Sequence, residues 1–456
     1  MSEHAFDIVV LGGGSGGYAA ALRARELGKT VAVIEKDKVG GTCLHRGCIP
    51  TKALLHAAEV ADHVRDAASV GVSATFVGID TAAVTSYREG IVAKKYKGLE
   101  GLLAARGVTV VAGEGRLLPD RAIQVGDDVY RGADVILATG SYSRVLPGIT
   151  IEGRVLTSEQ ALALDEVPDR VVILGGGVIG VEFASVWRSF GAEVTIVEAL
   201  DHLVPQEDIA LSKALERAFR KRGIASRLGT RFASVAQDES GVVVSLEDGS
   251  TVEADYLLVA VGRGPASSGL GFEEAGVRID RGFVVVDEAL QTTVPHVWAV
   301  GDIVFGLQLA HRGFQQGIFV AEHIAGLSPS PIVESTIPRV TYSSPEVASV
   351  GLTEAQARAE HGDAVVAYEY NLAGNGKSEI LGTAGLVKVV RLVDGPIVGV
   401  HLVGDRVGEL ITEGQLVVGW EAHPEDLAPL IHAHPTQSEA LGEAFLALAG
   451  KPLHAL

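Results

Sequence analysis

The chain has 456 residues, of which 47% are hydrophobic and 56 are glycine, a composition that suits buried parallel sheets joined by tight turns. Its formal net charge of −19 repels polyphosphates, which argues against nucleic-acid binding. No uninterrupted apolar run reaches the roughly 18 residues of a membrane span. The first predicted strand follows the N-terminus directly, so we expect no targeting segment and a cytoplasmic location.

The first predicted unit is a strand, a glycine-rich turn, a helix and a second strand. An apolar strand over residues 7–11 runs into Gly12-x-Gly14-x-x-Gly17, and after a helix to residue 27 a second buried strand ends at Glu35. The first glycine makes a tight turn, the second lets backbone approach a pyrophosphate, and the third lets helix pack on strand. The carboxylate would accept hydrogen bonds from ribose hydroxyls, so this unit predicts a dinucleotide site.

The only two cysteines, Cys43 and Cys48, lie five positions apart. Five helical residues rise about 7.5 Å, more than the roughly 7 Å that an unstrained disulfide allows between Cα atoms. We therefore predict a break in the helix at Gly47, followed by a helix that has Pro50 in its first turn and continues to about residue 62. Cys48 would then lie at the positive end of that helix, where a thiolate is stabilised.

A redox-cycling pair explains this spacing better than a structural disulfide, because closing so short a loop stabilises a fold little. A metal pair and two unpaired core thiols are the alternatives. A metal site needs further ligands at recognisable spacing, and none accompany the two cysteines.

Residues 170–198 repeat the plan of the first unit. A strand over residues 171–174 precedes Gly175-x-Gly177-x-x-Gly180, a helix ends near residue 191, and a strand over 193–197 leads to Glu198. In both copies the last glycine of the motif precedes the acid by 18 residues. One such motif is weak evidence, but two copies in the required context predict two dinucleotide sites.

Glu198 also predicts which nicotinamide cofactor the second copy binds. A carboxylate accepts a hydrogen bond from a free 2′-hydroxyl and repels a 2′-phosphate, whereas NADP sites usually offer arginine. Arg188 lies on the intervening helix, and we expect it to face solvent. The sequence therefore favours NADH over NADPH.

The last part of the chain has a different pattern. From residue 336 onward, alternating apolar segments such as 386–390 and 397–401 predict an antiparallel sheet with flanking helices. Near the C-terminus Pro435 predicts the start of a helix running toward residue 448. His434 would precede this helix and Glu439 would reach back to orient its imidazole, as an acid orients a base in other catalytic pairs. We interpret His401, His423 and His432 as structural.

The segment around the two cysteines, Gly-Gly-Thr-Cys-x4-Cys-Ile-Pro-Thr-Lys, resembles the redox motif of the pyridine nucleotide-disulfide oxidoreductases, the class I flavoprotein disulfide reductases. The likeness runs nearly end to end and includes residues 138–141, 262–263, 292–302 and 434–439. Within the family the chain is most similar to the branch that oxidises dihydrolipoyl groups. Small Val178, where glutathione-type reductases carry an aromatic residue, fits this branch. His45-Arg46 departs from the Asn-Val that is common between the cysteines.

The resemblance implies an α/β fold with two Rossmann-like dinucleotide-binding domains, for FAD and NAD, the second inserted in the first. It implies an FAD domain over residues 1–143 and 269–335, an NAD domain over 144–268, and a C-terminal α+β dimerisation domain over 336–456. A homodimer follows, in which His434 serves the active site of the other subunit. The implied partners are lipoyl-bearing acyltransferase subunits of 2-oxo acid dehydrogenase complexes or the lipoyl carrier protein of the glycine cleavage system.

The resemblance also implies which residues contact the cofactors. Lys52 would approach the flavin and pair with Glu182. The implied FAD-binding residues are Gly12, Gly14, Gly17, Glu35, Lys52, Gly115, Thr139, Gly140, Ser141, Asp302 and Ala310, the last approaching the flavin ring. The implied NAD-binding residues are Gly175, Gly177, Gly180, Glu182, Glu198 and Gly262.

The implied catalytic residues are Cys43 as the interchange thiol, Cys48 as the thiolate next to the flavin, His434 as the base and Glu439 as its orienting acid. Electrons would pass from a dihydrolipoyl dithiol to the Cys43–Cys48 disulfide, then to FAD and NAD⁺. One alternative is an NADPH-dependent reductase of a low-molecular-weight disulfide, similar to glutathione or mycothione reductase. Another is a flavin-bearing scaffold subunit whose disulfide is vestigial.

Overall fold

The computed structural model describes residues 2–454. In this part of the chain the β-strands are, in order, Glu3–Leu11 (β1), Val31–Glu35 (β2), Thr109–Ala112 (β3), Gly115–Leu117 (β4), Ile123–Val125 (β5), Asp128–Leu137 (β6), Ser141–Ser143 (β7), Val155–Leu156 (β8), Arg170–Leu174 (β9), Glu193–Val197 (β10), Ala225–Arg227 (β11), Phe232–Asp238 (β12), Gly241–Leu246 (β13), Thr251–Ala254 (β14), Tyr256–Val259 (β15), Arg263–Pro265 (β16), Ile279–Asp280 (β17), Phe283–Val284 (β18), Val297–Ala299 (β19), Arg339–Thr341 (β20), Glu346–Gly351 (β21), Val365–Asn371 (β22), Leu386–Leu392 (β23) and Ile397–Gly404 (β24).

The α-helices of the same residues are Ser15–Glu26 (α1), Gly41–Arg46 (α2), Cys48–Asp66 (α3), Thr81–Ala105 (α4), Ser158–Leu162 (α5), Val178–Phe190 (α6), Ile209–Lys221 (α7), Ala310–Ile324 (α8), Glu354–His361 (α9), Gly376–Ile380 (α10), Val407–Gly419 (α11), Pro424–Leu427 (α12) and Glu439–Leu448 (α13). Short 3₁₀ helices span Ala67–Val70, Gly301–Ile303, Glu334–Thr336 and Leu372–Gly374. None of the helices described is both long and apolar enough to cross a membrane.

The chain divides into two compact units. The first comprises the residues up to Ala53, Ala82–Arg144 and Gly262–Glu334. The second comprises Leu54–Thr81, Val145–Val261 and the chain from Ser335 onward. The bounds of the FAD, NAD and dimerisation domains stay a prediction.

The first unit is built on a seven-stranded sheet in the order β3-β2-β1-β6-β5-β4, with β19 paired to β6. Strands β3, β2, β1, β6 and β19 are parallel, and β5 and β4 run antiparallel. Helix α1 packs closely against α8, since a Cβ at Gly317 would lie 2.2 Å from the carbonyl oxygen of Gly16. The strand–helix–strand prediction for residues 7–35 is confirmed by β1, α1 and β2.

The second unit contains the repeat of this plan. Its five-stranded parallel sheet has the order β11-β10-β9-β15-β8, and α6 lies between β9 and β10 in the chain. Nine of the 13 residues of α6 are buried, which explains why its sequence is apolar on nearly every side. The antiparallel sheet β12-β13-β14 follows. The predicted repeat, and with it the α/β fold with two Rossmann-like units, is confirmed.

The C-terminal part of the second unit is an antiparallel sheet in the order β20-β21-β24-β23-β22. Helices α11 and α13 pack on it, with Val400, Leu402 and Phe445 buried between them. The predicted antiparallel sheet with flanking helices is confirmed.

The predicted helix start at Pro435 is wrong, because α13 begins at Glu439. The hydroxyl of Thr436 donates to the carbonyl of Ala433 and contacts the hydroxyl of Ser438. These side-chain contacts hold residues 434–438 in a turn, since hydroxyls next to the backbone compete with helical hydrogen bonds.

Glu346 gives the second unit a pH-dependent stability. Its carboxylate is largely buried at the start of β21 and accepts a hydrogen bond from the backbone of Gly408 at 2.9 Å. Burial raises the pKa of Glu346 to about 7, and the nearby charges of Asp405 and Glu409 act in the same direction. The folded chain therefore holds this proton more tightly than the unfolded chain, so stability falls as the pH rises from about 4.5 through about 7.

Replacing Glu346 with glutamine should raise the melting temperature at pH 8 and leave it nearly unchanged at pH 5. The gain at pH 8 is at most about 3 kcal/mol, because one pKa unit corresponds to about 1.4 kcal/mol. Calorimetry at both pH values measures it, with Glu360→Gln on the exposed face of α9 as the control. An equal effect of Glu346→Gln at pH 5 and pH 8 would contradict the assignment.

Candidate active site

The two cysteines lie on either side of a helix break. Helix α2 begins after Gly40, whose φ is +103°, and ends at Arg46, before Gly47, whose φ of −143° and ψ of −111° are not helical. Helix α3 then begins at Cys48. The predicted break at Gly47 and the place of Cys48 at a helix N-terminus are confirmed. Pro50 occupies the first turn of α3, where a backbone N–H has no helical acceptor.

The pair is electrostatically asymmetric. The two side chains are thiols in hydrogen-bonding contact. The hydrogen bond to Cys48 raises the pKa of Cys43, burial raises it further, and the charge of Cys48 adds to both, while Lys52 acts in the opposite direction. This arrangement favours the protonated form of Cys43, whereas Cys48 lies at the positive end of α3, where a thiolate is stabilised. The geometry suits a dithiol with one thiol and one thiolate.

The first and third glycines of each motif have no room for a side chain. Gly12 and Gly175 have φ values of +106° and +110°, and a Cβ there would lie 2.2 Å and 2.4 Å from the carbonyl oxygens of Ala138 and Ala260, which directly follow β6 and β15. A Cβ at Gly17 or Gly180 would lie 1.9 Å or 2.0 Å from the carbonyl oxygen of the first glycine. These contacts are the turn and the helix–strand packing that the motif predicts.

The middle glycines leave space at a helix N-terminus. Gly14 precedes α1 and Gly177 precedes α6, and a Cβ at either would meet no heavy atom within 4 Å. The backbone at both points is therefore open to close approach by a diphosphate, and the helix dipole favours its charge. Both cradles fit a dinucleotide.

The two acids at the strand ends are held in the same way. In each copy one carboxylate oxygen accepts the N–H of the residue after the first glycine, and the other accepts an N–H two residues beyond the acid. The pairs are Glu35 with Gly13 (2.7 Å) and Asp37 (2.9 Å), and Glu198 with Gly176 (2.7 Å) and Leu200 (2.8 Å). Each carboxylate is thus oriented at the edge where a ribose would lie.

A hydrogen-bonded cluster brings three distant segments of the first unit together. Ser141 Oγ donates to Asp302 Oδ2 at 2.6 Å, and Arg263 Nε donates to Ser141 Oγ at 2.7 Å. Thr139 Oγ1 donates to the carbonyl of Ala266 at 2.6 Å. Gly140 and Gly262, with φ values of +76° and +101°, make the turns beside it.

Gln316 supports this cluster, although nothing in the sequence pointed to it. Its side-chain oxygen accepts the backbone N–H of Gly301, next to Asp302, at 2.7 Å, and the side chain is buried in α8. A buried glutamine on a helix has no sequence signature, because the pattern does not tell which polar residue faces inward.

The other predicted binding residues have these places. Gly115 is buried, and a Cβ there would lie 2.6 Å from Leu11 Cδ1, so it packs beneath the strand ends. Ala310 is the first residue of α8. Lys52 lies on α3 in the first unit, and Glu182 is buried on α6 in the second, where it accepts the N–H of Tyr342 at 2.9 Å. The Lys52–Glu182 pairing stays a prediction.

Arg188 does not face solvent as expected. Its guanidinium donates to the carbonyl oxygens of Arg222 at 2.6 Å and Ala192 at 3.2 Å, at the C-terminal end of α6. Capping carbonyls of a helix end is a common role of arginine. Arg188 is thus engaged at the end of α6 opposite Gly177.

His434 and Glu439 form the predicted pair in the second unit. His434 Nδ1 lies 2.8 Å from Glu439 Oε1, and Glu439 Oε2 accepts the N–H of Thr436 at 2.8 Å. Although burial acts to raise it, these two hydrogen bonds hold the pKa of Glu439 below its usual value. The imidazole itself is 79% exposed, so its other nitrogen is accessible to a reactant.

Two residues that the sequence did not single out as functional support the His434 turn. Asn375 Nδ2 donates to the carbonyl of Thr436 at 2.9 Å, and its Oδ1 caps α10 through Ser378. His432 lies 2.9 Å from Glu413 on α11, which raises the pKa of His432 despite partial burial. An asparagine followed by glycine in Asn375-Gly376 was the one available signal, since it predicts a cap or turn.

Residues 6–317 match the family of pyridine nucleotide-disulphide oxidoreductases, and residues 337–445 match the dimerisation domain of that family. The chain belongs to this family. Membership implies FAD and NAD as cofactors, and the two open glycine cradles fit them.

Several curated members of the family are similar over nearly their whole length. A dihydrolipoyl dehydrogenase of Bacillus subtilis is 40% identical over 98% of this chain and 99% of its own. The mitochondrial dihydrolipoyl dehydrogenase of Pisum sativum is 38% identical over 98% of this chain and 92% of its own. Leghemoglobin reductase of Glycine max is 37% identical over 98% and 88%.

Solved structures of the family have the same fold. LpdA of Mycobacterium tuberculosis superposes with a TM-score of 0.90 at 29% identity, over 98% of this chain and all of that one. The HOCl-induced flavoprotein disulfide reductase RclA of Escherichia coli, as a Cu(II) complex, has a TM-score of 0.88 at 28% identity, over 97% and 99%.

Proposed function

We propose that the protein is a dihydrolipoyl dehydrogenase, which oxidises protein-bound dihydrolipoyl groups to the cyclic disulfide with NAD⁺ as the electron acceptor. The observation that carries this is the asymmetric Cys43–Cys48 pair at the start of α3. The near full-length likeness to dihydrolipoyl dehydrogenases selects the substrate among those that a redox disulfide can serve.

The exchange takes place in two steps at the oxidised pair. A substrate thiolate attacks the sulfur of Cys43, which forms a mixed disulfide and releases Cys48 as the thiolate. The second substrate thiolate then attacks its neighbour in the mixed disulfide, closes the lipoyl ring and releases Cys43, which takes up a proton. The raised pKa of Cys43 is consistent with its protonation on release, and the position of Cys48 at a helix N-terminus is consistent with its release as a thiolate.

His434 supplies the base that the dithiol needs. Because Glu439 can only accept, the short contact assigns the proton of His434 to Nδ1 and leaves Nε2 as an acceptor for a thiol proton. In the proposed homodimer this nitrogen serves the disulfide of the partner subunit, and the exposed imidazole is consistent with that role.

Glu35 and the open turn at Gly14 would hold the adenosine and diphosphate of FAD, and Glu198 and Gly177 would hold those of NAD. When bound, FAD supplies the two-electron carrier between the dithiol and NAD⁺. The residues of this chain orient the two dinucleotides and keep the cysteine pair in place.

The chain carries the dimerisation domain of its family over residues 337–445. We propose a cytoplasmic homodimer that serves the lipoyl-bearing acyltransferase subunits of 2-oxo acid dehydrogenase complexes or the lipoyl carrier protein of the glycine cleavage system. All of these proteins present the same lipoyl arm. Pulldown with the individual lipoylated proteins would identify which complex the protein serves.

Anaerobic titration of the holoenzyme with dihydrolipoamide tests the proposal. We expect one equivalent to yield lipoamide and two new alkylatable thiols in each subunit, and NADH to form when NAD⁺ is added. No reaction would support a scaffold with a vestigial disulfide. Rapid reduction of a glutathione-type disulfide by NADPH, with dihydrolipoamide inert, would support the low-molecular-weight reductase.

The cofactor preference is a separate prediction. Both oxygens of Glu198 accept backbone N–H groups, which fixes the position of its side chain where a 2′-phosphate would lie. We expect kcat/KM for NADH to exceed that for NADPH by at least about tenfold, since one uncompensated charge contact is worth 1.4 kcal/mol or more. Glu198→Gln should lower the ratio of kcat/KM for NADH to kcat/KM for NADPH. Equal kcat/KM values for the two cofactors in the unaltered enzyme would contradict the predicted preference for NADH.

A further inference from the structure

Helix α2, which carries Cys43, cannot be stable by itself. It has six residues, Gly40 and Gly47 flank it, and isolated helices shorter than about 12 residues are marginal in water. Its place must therefore come from contacts with neighbouring segments. Leu44 supplies one, since it packs beneath Gly40 so closely that a Cβ there would lie 2.3 Å from Leu44 Cδ2.

His45 supplies a second set of contacts. Its Nε2 lies 2.9 Å from the carbonyl oxygen of Val39, so Nε2 carries the proton and donates. The edge of the imidazole meets the ring of Tyr96 on α4, with centroids 5.1 Å apart and planes at 72°. The last turn of α2 is thereby held to both the segment before it and a long helix of the same unit.

Arg46 ties α2 to the acid of the first dinucleotide motif. Its guanidinium is paired with the carboxylate of Asp37, and the backbone N–H of Asp37 donates to Glu35 Oε1 at 2.9 Å. Arg46 and Asp37 are 47% and 45% exposed, so this ion pair adds little to global stability. The ion pair links the C-terminal end of α2 to residues 35–40.

We propose that His45 and Arg46 are positioning residues that set the redox equilibrium of the Cys43–Cys48 pair by holding α2 against residues 35–40. Reduction by dithiothreitol adds two electrons to the disulfide, breaks the S–S bond and leaves Cys43 as a thiol, which takes up one proton, and Cys48 as a thiolate. The equilibrium depends on the effective concentration of one sulfur near the other, which falls when α2 can move away. The inference rests on the redox role of the pair in the proposed function, but does not depend on the lipoyl substrate.

The test is the double variant His45→Ala/Arg46→Ala, in which alanine preserves the helix propensity of α2. The holoenzyme is equilibrated with mixtures of reduced and oxidised dithiothreitol, and the thiols are counted by alkylation and mass spectrometry. We expect the equilibrium to shift about tenfold toward the dithiol, a potential about 30 mV less negative. The melting temperature should change little.

Matched variants separate positioning from other effects. His45→Gln/Arg46→Lys keeps a donor and a cation and should remain within about threefold of the unaltered protein. Arg116→Ala removes an ion pair of similar exposure with Glu274, in the same unit, and should leave the equilibrium unchanged. Arg46→Ala alone, at an exposed position, should fold and give a smaller shift in the same direction.

An equilibrium that is unchanged in both the double variant and Arg46→Ala overturns the inference. So does a shift of equal size in Arg116→Ala. If the unaltered protein instead has no pair that dithiothreitol can reduce, the proposed function fails with it. If the pair is reducible but dihydrolipoamide does not reduce it, only the lipoyl assignment fails, and the comparison of variants still decides the role of His45 and Arg46.

Discussion

Replacing Cys48 with serine should abolish dihydrolipoamide oxidation, with turnover reduced by more than about 10³-fold, as for loss of an essential reacting group. A serine oxygen cannot form the disulfide that the substrate opens, and the thiolate at the N-terminus of α3 is lost. NADH-dependent dye reduction should persist, because it does not need the cysteine pair. Steady-state assays with both acceptors measure the two activities in one preparation.

The single-cysteine variant Cys43→Ser is the matched control for Cys48→Ser. It should be equally inactive toward dihydrolipoamide. At pH 7, however, the Cys48 thiol that remains in Cys43→Ser should react faster with iodoacetamide than the Cys43 thiol that remains in Cys48→Ser. Cys48 lies at a helix N-terminus, whereas burial helps to raise the pKa of Cys43. Faster alkylation of Cys43 in Cys48→Ser would reverse the assigned roles. Measurable lipoamide turnover by either variant would exclude the disulfide from the reaction.

Replacing His434 with glutamine should lower dihydrolipoamide oxidation by about 10²–10⁴-fold, the usual contribution of a general base. Glutamine can hydrogen-bond Glu439 but cannot take up the thiol proton, so kcat should fall while the fold and the dye reduction are retained. His361→Gln at the exposed end of α9 is the control and should stay within about twofold. More than a tenth of normal turnover in His434→Gln would show that another group is the base.

Glu439 should stay ionised through the working pH range. Since the folded pKa of Glu439 lies below the ordinary carboxyl value, the charge that orients His434 is fully present at any pH above that ordinary value and is lost only as the pH falls through the lowered pKa. Glu439→Gln should therefore lower turnover less than His434→Gln does and do so uniformly between pH 6 and pH 9.

The dinucleotide motifs could be predicted because their chemistry is local. The turn at Gly12 and the contact of Gly17 with its carbonyl depend on a few adjacent residues, so spacing in the sequence determines them. The break at Gly47 followed from helix geometry and disulfide reach alone. In each case a short stretch of chain contains the whole physical reason.

The other features depend on partners far away in the sequence. Asn375 holds Thr436 across 61 positions, and Gln316 binds Gly301 from an unremarkable place on a helix. The start of α13 was misplaced because the turn at residues 434–438 is held by side-chain hydroxyls, which outweigh the preference of proline for a first helical turn. No spacing rule contains such contacts.

The equivalent backbone hydrogen bonds to Glu35 and Glu198 have a consequence for how the chain distinguishes its two cofactors. Both carboxylates arrive at the nucleotide with their two oxygens already engaged by backbone in the same pattern. The adenosine moiety, which FAD and NAD share, would therefore contact an equivalently held carboxylate in either motif. These contacts do not distinguish FAD from NAD. We therefore expect the chain to select between FAD and NAD at the opposite end of each molecule, where the isoalloxazine and the nicotinamide differ most.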